Sequence, residues 1–354
     1  MGQCFSKKRE DAYRVSGDSK SGGGSKTGNT GSTGEKKEYS WDKRPRLDPK
    51  DYTWEQLKGE TKVKEPGAVA GQQFMIDECE DCNLFLFDHN ATVTIDGCKN
   101  CTIFIGPCES SIFIRDCTDC KCVFMCRQFR TRGCDGLDIM LYCLTRPVIE
   151  TSKRLRFGCL EYHYDALESQ MTATQFSKYT NFWSYIHDFT PAPKNWTFLP
   201  LDMTADQMIA PVLPEGLAFL PSEGTPKPAP HLLSTWGDRP PPSTERMFVL
   251  FPKKSEGEAS GFLKAAQEAE GVTLLYCNNT TLLPDVAKQL VQLAGDDARG
   301  KTITKDLSAG KSIGFEFCGE GCTDTINALL PNCDILSTGN TQASGIYRYM
   351  GIEG

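Results

Sequence analysis

Three polar side chains, Gln128, Arg130 and Arg132, stand at alternate positions in the stretch CVFMCRQFRTR. On a β-strand such spacing places them on one face and puts Phe129 and Thr131 on the other. An arginine held between two packed neighbours is a rigidly placed cation, always charged and forked, and suited to meeting negative charge. An ordinary solvated surface arginine is the other reading of the same residues. A second set of chemically able residues surrounds this one. Cys79 and Cys82, Cys98 and Cys101, and Cys117 and Cys120 form CxxC pairs, and the resulting C-x2-C-x15-C-x2-C pattern lies close to the spacing of a zinc ribbon.

Those pairs recur at a step of 19 residues, and the residues around them recur as well. Each CxxC is followed by an apolar strand, a short turn and a second strand, with no room for a helix. That is the signature of a repeat architecture, here one coil of a parallel β-helix per unit, in which equivalent side chains stack in ladders. Three copies rather than two, within a strand repeat that carries apolar blocks at the same step, weigh against a zinc ribbon. Small apolar cysteines stacked at the coil corners account for the pattern instead, and no metal or other cofactor is expected. Counting back from each following cysteine aligns Val93, Ile112 and Phe129, then Ile95, Ile114 and Thr131, as inward positions. Thr94, Phe113 and Arg130 then face outward. The interval from Cys117 to Cys134 is 17 residues, so the rung bearing the arginines breaks the period.

The chain has 354 residues, 39% of them hydrophobic and 24% charged, enough for about two domains with real cores. Its formal charge of −7 argues against a nucleic-acid surface as its main partner. The opening MGQCFSKKRE fits a different surface. Gly2 with Ser6 matches the N-myristoylation pattern, Cys4 is placed for palmitoylation, and Lys7, Lys8 and Arg9 add a basic patch. One acyl chain holds a membrane only marginally, so a second chain or a basic cluster is needed for stable anchoring to an anionic inner leaflet. Residues 1–36 are therefore expected to be an acylated flexible tether, at the cytoplasmic face of the plasma membrane. In that reducing compartment the 17 cysteines are not expected to form a disulfide framework.

Residues 37–200 are assigned to the β-helix, closed by the less regular GLDIMLYCLTRPVIE and RLRFGCLEYHYD, with the aromatic MTATQFSKYTNFWSYIHDFTP flanking its open end. The Pro-rich 201–245 reads as a linker. Residues 246–354 alternate strand and helix, as in a small α/β or α+β sandwich. Two phosphate-site patterns there fail on context. Gly310-Lys311-Ser312 lacks the leading glycine of a P-loop and precedes a strand, and Gly319 with Gly321 reads as a plain turn before a helix. All four histidines, His89, His163, His187 and His231, precede this domain. A phosphohistidine enzyme cannot be built from it, and no kinase activity is expected.

The tandem DCxxC coils, AGQQFMIDECEDCN, CRQFRTR, PVIE and WSYIHDFTP together resemble the tubulin cofactor C family, and more closely its members with an acylated N-terminus and a second domain. The resemblance implies a β-helix followed by a ferredoxin-like domain similar to nucleoside diphosphate kinase. It further implies a GTPase-activating protein acting on an Arf-like small GTPase in its GTP-bound state, in traffic of lipidated proteins to the cilium. Carried over by motif, Arg130 would be the arginine finger and Gln128 its companion, while Arg132, Glu150 and Phe189 would form the GTPase-docking surface. A membrane-tethered scaffold that binds a GTPase or its cargo without accelerating hydrolysis is the alternative.

Overall fold

The computed structural model describes residues 48–220, 232–296 and 300–352. Gly2, Cys4 and the tether lie outside them. Twelve strands build the β-helix: β1 (Thr53–Glu55), β2 (Thr61–Lys64), β3 (Phe74–Asp77), β4 (Asn83–Leu86), β5 (Val93–Asp96), β6 (Thr102–Arg115), β7 (Lys121–Arg132), β8 (Asp138–Cys143), β9 (Val148–Glu150), β10 (Leu155–Cys159), β11 (His187–Asp188) and β12 (Trp196–Phe198). Every pairing among them is parallel. One wall runs β1, β3, β5, the second half of β6, the second half of β7, β9 and β11. The other runs β2, β4, the first halves of β6 and β7, β8, β10 and β12.

The CxxC motif makes the third, narrow side. Bridges link Glu80 to Lys99, Lys99 to Thr118 and Thr118 to Asp135, each of these being the residue after a first cysteine. The chain turns sharply on both sides of that bridge, through positive φ at Glu78, Gly97, Asp116 and Gly133 and again at Asp81, Asn100, Asp119 and Gly136. Asp, Asn and Gly tolerate this left-handed conformation best, which explains why they recur before the cysteines. At Gly133 a Cβ would come 2.3 Å from Asp116 Oδ1, so a side chain there would displace the Asp116 carboxylate. The cysteines between the turns are buried, and thiols such as Cys101 and Cys117 donate to the carbonyls of Lys99 and Arg115. Burial pushes the Cys108 thiol up to about 12.

The 17-residue interval has a local cause. Between β6 and β7 the register slips twice, between Ile105 and Cys108 and between Cys108 and Ser111, so β6 carries 14 residues against 12 in β7. Bulges of this kind recur beside functional sites.

The two walls differ in what covers them. Leu86, Ile103, Ile105, Phe124 and their neighbours fill the coil interior. The second wall is buried on its outer face too: Phe85, Phe87, Phe104, Val123, Met125 and Met140 pack against Tyr164, α1 (Leu167–Ala173), Leu199 and α2 (Ala205–Ile209). Its central strands, β4, the first halves of β6 and β7, and β8, are accordingly near-continuous apolar runs, whereas β3, β5 and the second halves of β6 and β7 alternate buried and accessible side chains. The first wall therefore presents one open face. The aromatic segment closes the end of the helix. Trp183 is fully buried there, donates from Nε1 to Thr235 at 3.0 Å, and lies 4.8 Å beneath the Arg239 guanidinium.

The stretch expected as a linker carries structure of its own: α2 and Leu232 belong to the outer core of the second wall, and Leu233 packs into the following sheet. Residues 221–231 are outside the described set. Beyond it come β13 (Arg246–Phe251), α3 (Glu256–Glu268), β14 (Thr273–Thr281), α4 (Pro284–Leu293), α5 (Gly300–Ser308), β15 (Lys311–Cys318), α6 (Cys322–Leu329), β16 (Leu336–Thr338) and α7 (Thr341–Arg348). The strands form an antiparallel sheet in the order β14-β15-β13-β16. Apolar side chains of α3 and α6 cover one face, those of α4, α5 and α7 the other. As expected, Lys311 opens a strand, so Gly310 belongs to no P-loop.

Candidate functional site

The open wall stacks its outward residues in columns. In register run Met75, Thr94, Phe113, Arg130, Val148 and His187. Two positions further along each strand come Asp77, Asp96, Arg115, Arg132 and Glu150. Arg130 is exposed, while its chain neighbours Phe129 and Thr131 are 0% and 2% exposed. The backbone beneath the guanidinium is thus fixed by packing on both sides. Its guanidinium carbon lies 5.8 Å from the centre of the Phe113 ring, one rung below, and among the described residues it has no carboxylate partner. Arg115 differs in that respect. Its guanidinium binds Asp96 at 2.6 Å and its charge is spent there.

Gln128 sits one alternate position before Arg130 and is partly buried. Its Oε1 accepts from the Ser111 hydroxyl at 3.2 Å, which orients the side chain along the rung. Arg132 stands opposite Glu150 in the ladder, without an ion pair among the described residues. Phe189 follows β11 and donates its backbone N–H to the Ile149 carbonyl at 2.9 Å. The Asp188 carboxylate accepts from the N–H of Thr190 (2.9 Å) and from Asn195 Nδ2 (2.8 Å), fixing the turn behind it. The Phe189 ring meets His187 edge-on at 4.5 Å and is 63% exposed, a large apolar surface held out by well-bonded backbone.

Gln128, Arg130, Arg132, Glu150 and Phe189 therefore share one face, although their strands come from three different coils. Reasoning from the sequence placed Phe113 outward without a role, and passed over Met75 and His187. Met75 and Phe113 are 40% and 38% exposed and extend the face by an apolar margin. The alternation of Phe74, Met75 and Ile76 would have found the first. His187 is found only by its pairing with Val148, since nothing in the intervening sequence announces β11. Chemically the face offers one cation free of carboxylates, a second beside a carboxylate, an amide, and exposed aromatic surface. It is an open surface with a charged centre and an apolar margin rather than an enclosed small-molecule site.

The tubulin binding cofactor C family model matches residues 71–189, a span that opens just before β3 and ends at Phe189. Protein XRP2 of Xenopus laevis is 43% identical over 303 residues, covering 84% of each chain. The chain belongs to the XRP2 family. Protein XRP2 of Gallus gallus is 41% identical over 92% of this chain and 90% of its own. Protein XRP2 of Homo sapiens reaches 56% identity over 175 residues, about half of each chain. The XRP2 relationship thus extends past the cofactor C region into the antiparallel sheet, and β3 to β11 of the β-helix are the part that the family model recognises.

Proposed function

We propose that this protein is a GTPase-activating protein that supplies Arg130 in trans to an Arf-like small GTPase in its GTP-bound state. One observation carries the reading: the guanidinium is exposed and unpaired by any described carboxylate, while the residues on either side of it are buried. GTP hydrolysis needs little covalent help and much charge stabilisation, because negative charge shifts among the phosphate oxygens at the transition state. A guanidinium delivered from a partner is worth ~10³ to 10⁵ in rate, or about 4 to 7 kcal/mol. Holding it on a stacked wall lowers the entropy of placing it. Gln128 orders the rung beside it. Arg132, Glu150 and Phe189 dock the GTPase, with Phe189 as the apolar anchor. Stimulation of single-turnover GTP hydrolysis by stoichiometric protein tests the assignment, and an unchanged rate in a complex that forms would refute it.

The antiparallel sheet, with its two helix-linked strand pairs, supports reading 246–352 as a ferredoxin-like domain similar to nucleoside diphosphate kinase. Without a histidine in it, the domain acts as structure rather than as a kinase. The N-terminal signals support an inner-leaflet location for the activator, and the family resemblance supports a role in traffic of lipidated proteins at the cilium or its base. In cell fractionation Gly2→Ala is expected to move the protein from membrane to cytosol, and Cys4→Ser to weaken retention while leaving myristoylation intact. Retention of Gly2→Ala at the parental level would remove the acyl anchor from the account.

A further inference from the structure

The strand carrying Glu150 and the strand that leads into Phe189 are among the shortest of the open wall, with three residues in β9 and two in β11. The entry to each is held from the antiparallel sheet. Arg146, just before β9, donates its backbone N–H to the Ile352 carbonyl at 2.9 Å. Tyr185, just before β11, is buried and meets the Tyr349 ring edge-on at 5.2 Å and the Tyr276 ring of β14 at 5.7 Å. The Arg348 guanidinium lies 3.6 Å over Tyr276 and is bound by the buried carboxylate of Glu316. On the other side of the same clamp the Tyr276 hydroxyl donates to Asp238 at 2.8 Å, and the Asp238 N–H donates to the Ser184 hydroxyl at 3.1 Å.

β11 itself is tied to β9 by the N–H of His187 on Pro147 (2.8 Å) and the N–H of Phe189 on Ile149 (2.9 Å). Short ladders of this kind do not by themselves offset the entropy of ordering the strand, so its placement also depends on what grips the residues on either side: the Asp188 turn, bonded to Thr190 and Asn195, behind it, and Tyr185 ahead of it. We propose that the segment after α7, through Tyr349 and the Ile352 carbonyl, is a positioning element for the docking strands. It acts through Tyr185 and Arg146 and sets the affinity of the face for its partner, while Arg130, on the long strand β7, is held from its other side by β6 as well. The consequence for affinity rests on the GTPase-activator reading; the ordering of β9 and β11 does not.

Amide hydrogen exchange of the full chain, with no GTPase present, tests the ordering. In Tyr349→Ala, whose parent ring is 50% exposed, the amides of His187 and Phe189 are expected to exchange ~10-fold faster or more, with those of β3 and β5 unchanged. Tyr349→Phe should exchange like the parent, since the ring and not the hydroxyl makes the contact. A chain ending at Met350, which removes the acceptor of the Arg146 N–H, should free the Arg146 amide in the same way. Parental exchange of all three amides in Tyr349→Ala and in the shortened chain overturns the proposal. With a GTP-bound Arf-like GTPase, Tyr349→Ala should bind ~10-fold more weakly yet reach the parental rate at saturation. If exchange accelerates but no GTPase binds even the parent, the activator reading fails and the positioning role stands.

Discussion

Arg130→Ala is expected to lower stimulated GTP hydrolysis by ~10³-fold or more at saturating protein while leaving affinity for the GTP-bound GTPase nearly unchanged. The asymmetry follows from where the side chain works: a cation that meets charge developing only in the transition state contributes to the rate and little to ground-state binding. Arg130→Lys should recover only a small part of the stimulation, because lysine keeps the charge but not the planar fork. Glu150→Ala should behave in the opposite way, weakening binding and sparing the rate at saturation, since a docking contact is made equally in ground and transition states. Arg130 is exposed, so its variants should unfold with the parent to within ~0.5 kcal/mol, and loss of fold cannot imitate loss of the finger.

The largest effect on stability is expected at Glu316. Its carboxylate, 3% exposed on β15, accepts from Arg246 at 3.0 Å and from Ser344 at 3.1 Å, and also binds Arg348. Glu316→Ala strips the anion from two partly buried guanidinium groups, and breaking a buried pair from one side costs ~3–5 kcal/mol. Chemical denaturation followed by a probe of the antiparallel sheet should show that loss. In the double variant Glu316→Ala, Arg348→Ala the loss should fall short of the sum of the two single ones, because the second change removes one of the stranded charges. Additive losses would mean that the groups do not act as a network. Arg348 also stacks on Tyr276, so the same variant should loosen the clamp on Tyr185.

How much of this could be read from the sequence depended on whether the determining pattern was local. The coils were legible because CxxC, apolar strand and turn repeat at a fixed step, and because stacking demands that equivalent residues recur. The open face was legible as alternation in FMID, VTID, IFIR and QFRTR, against the unbroken apolar runs of the covered wall. Arg130 was found because its neighbours Phe129 and Thr131 read as inward. Glu150 and Phe189 came from family resemblance, and β9 and β11, on which they depend, are too short to carry a period of their own. What covers the second wall was not legible, since Tyr164, Met171, Phe176 and Leu199 follow no repeat. Nor could any local pattern show that Ile352 meets Arg146, or that part of a Pro-rich stretch packs into two cores.

Single-turnover hydrolysis of GTP across a panel of Arf-like GTPases, each with and without stoichiometric full-length protein, tests the arginine finger most directly. At least one GTPase is expected to be accelerated ~10³-fold or more by the parent and left at its intrinsic rate by Arg130→Ala, though both bind it. A GTPase that binds the parent in its GTP form and hydrolyses no faster, or one stimulated equally by Arg130→Ala, would contradict the finger assignment and leave a membrane-tethered scaffold as the better description.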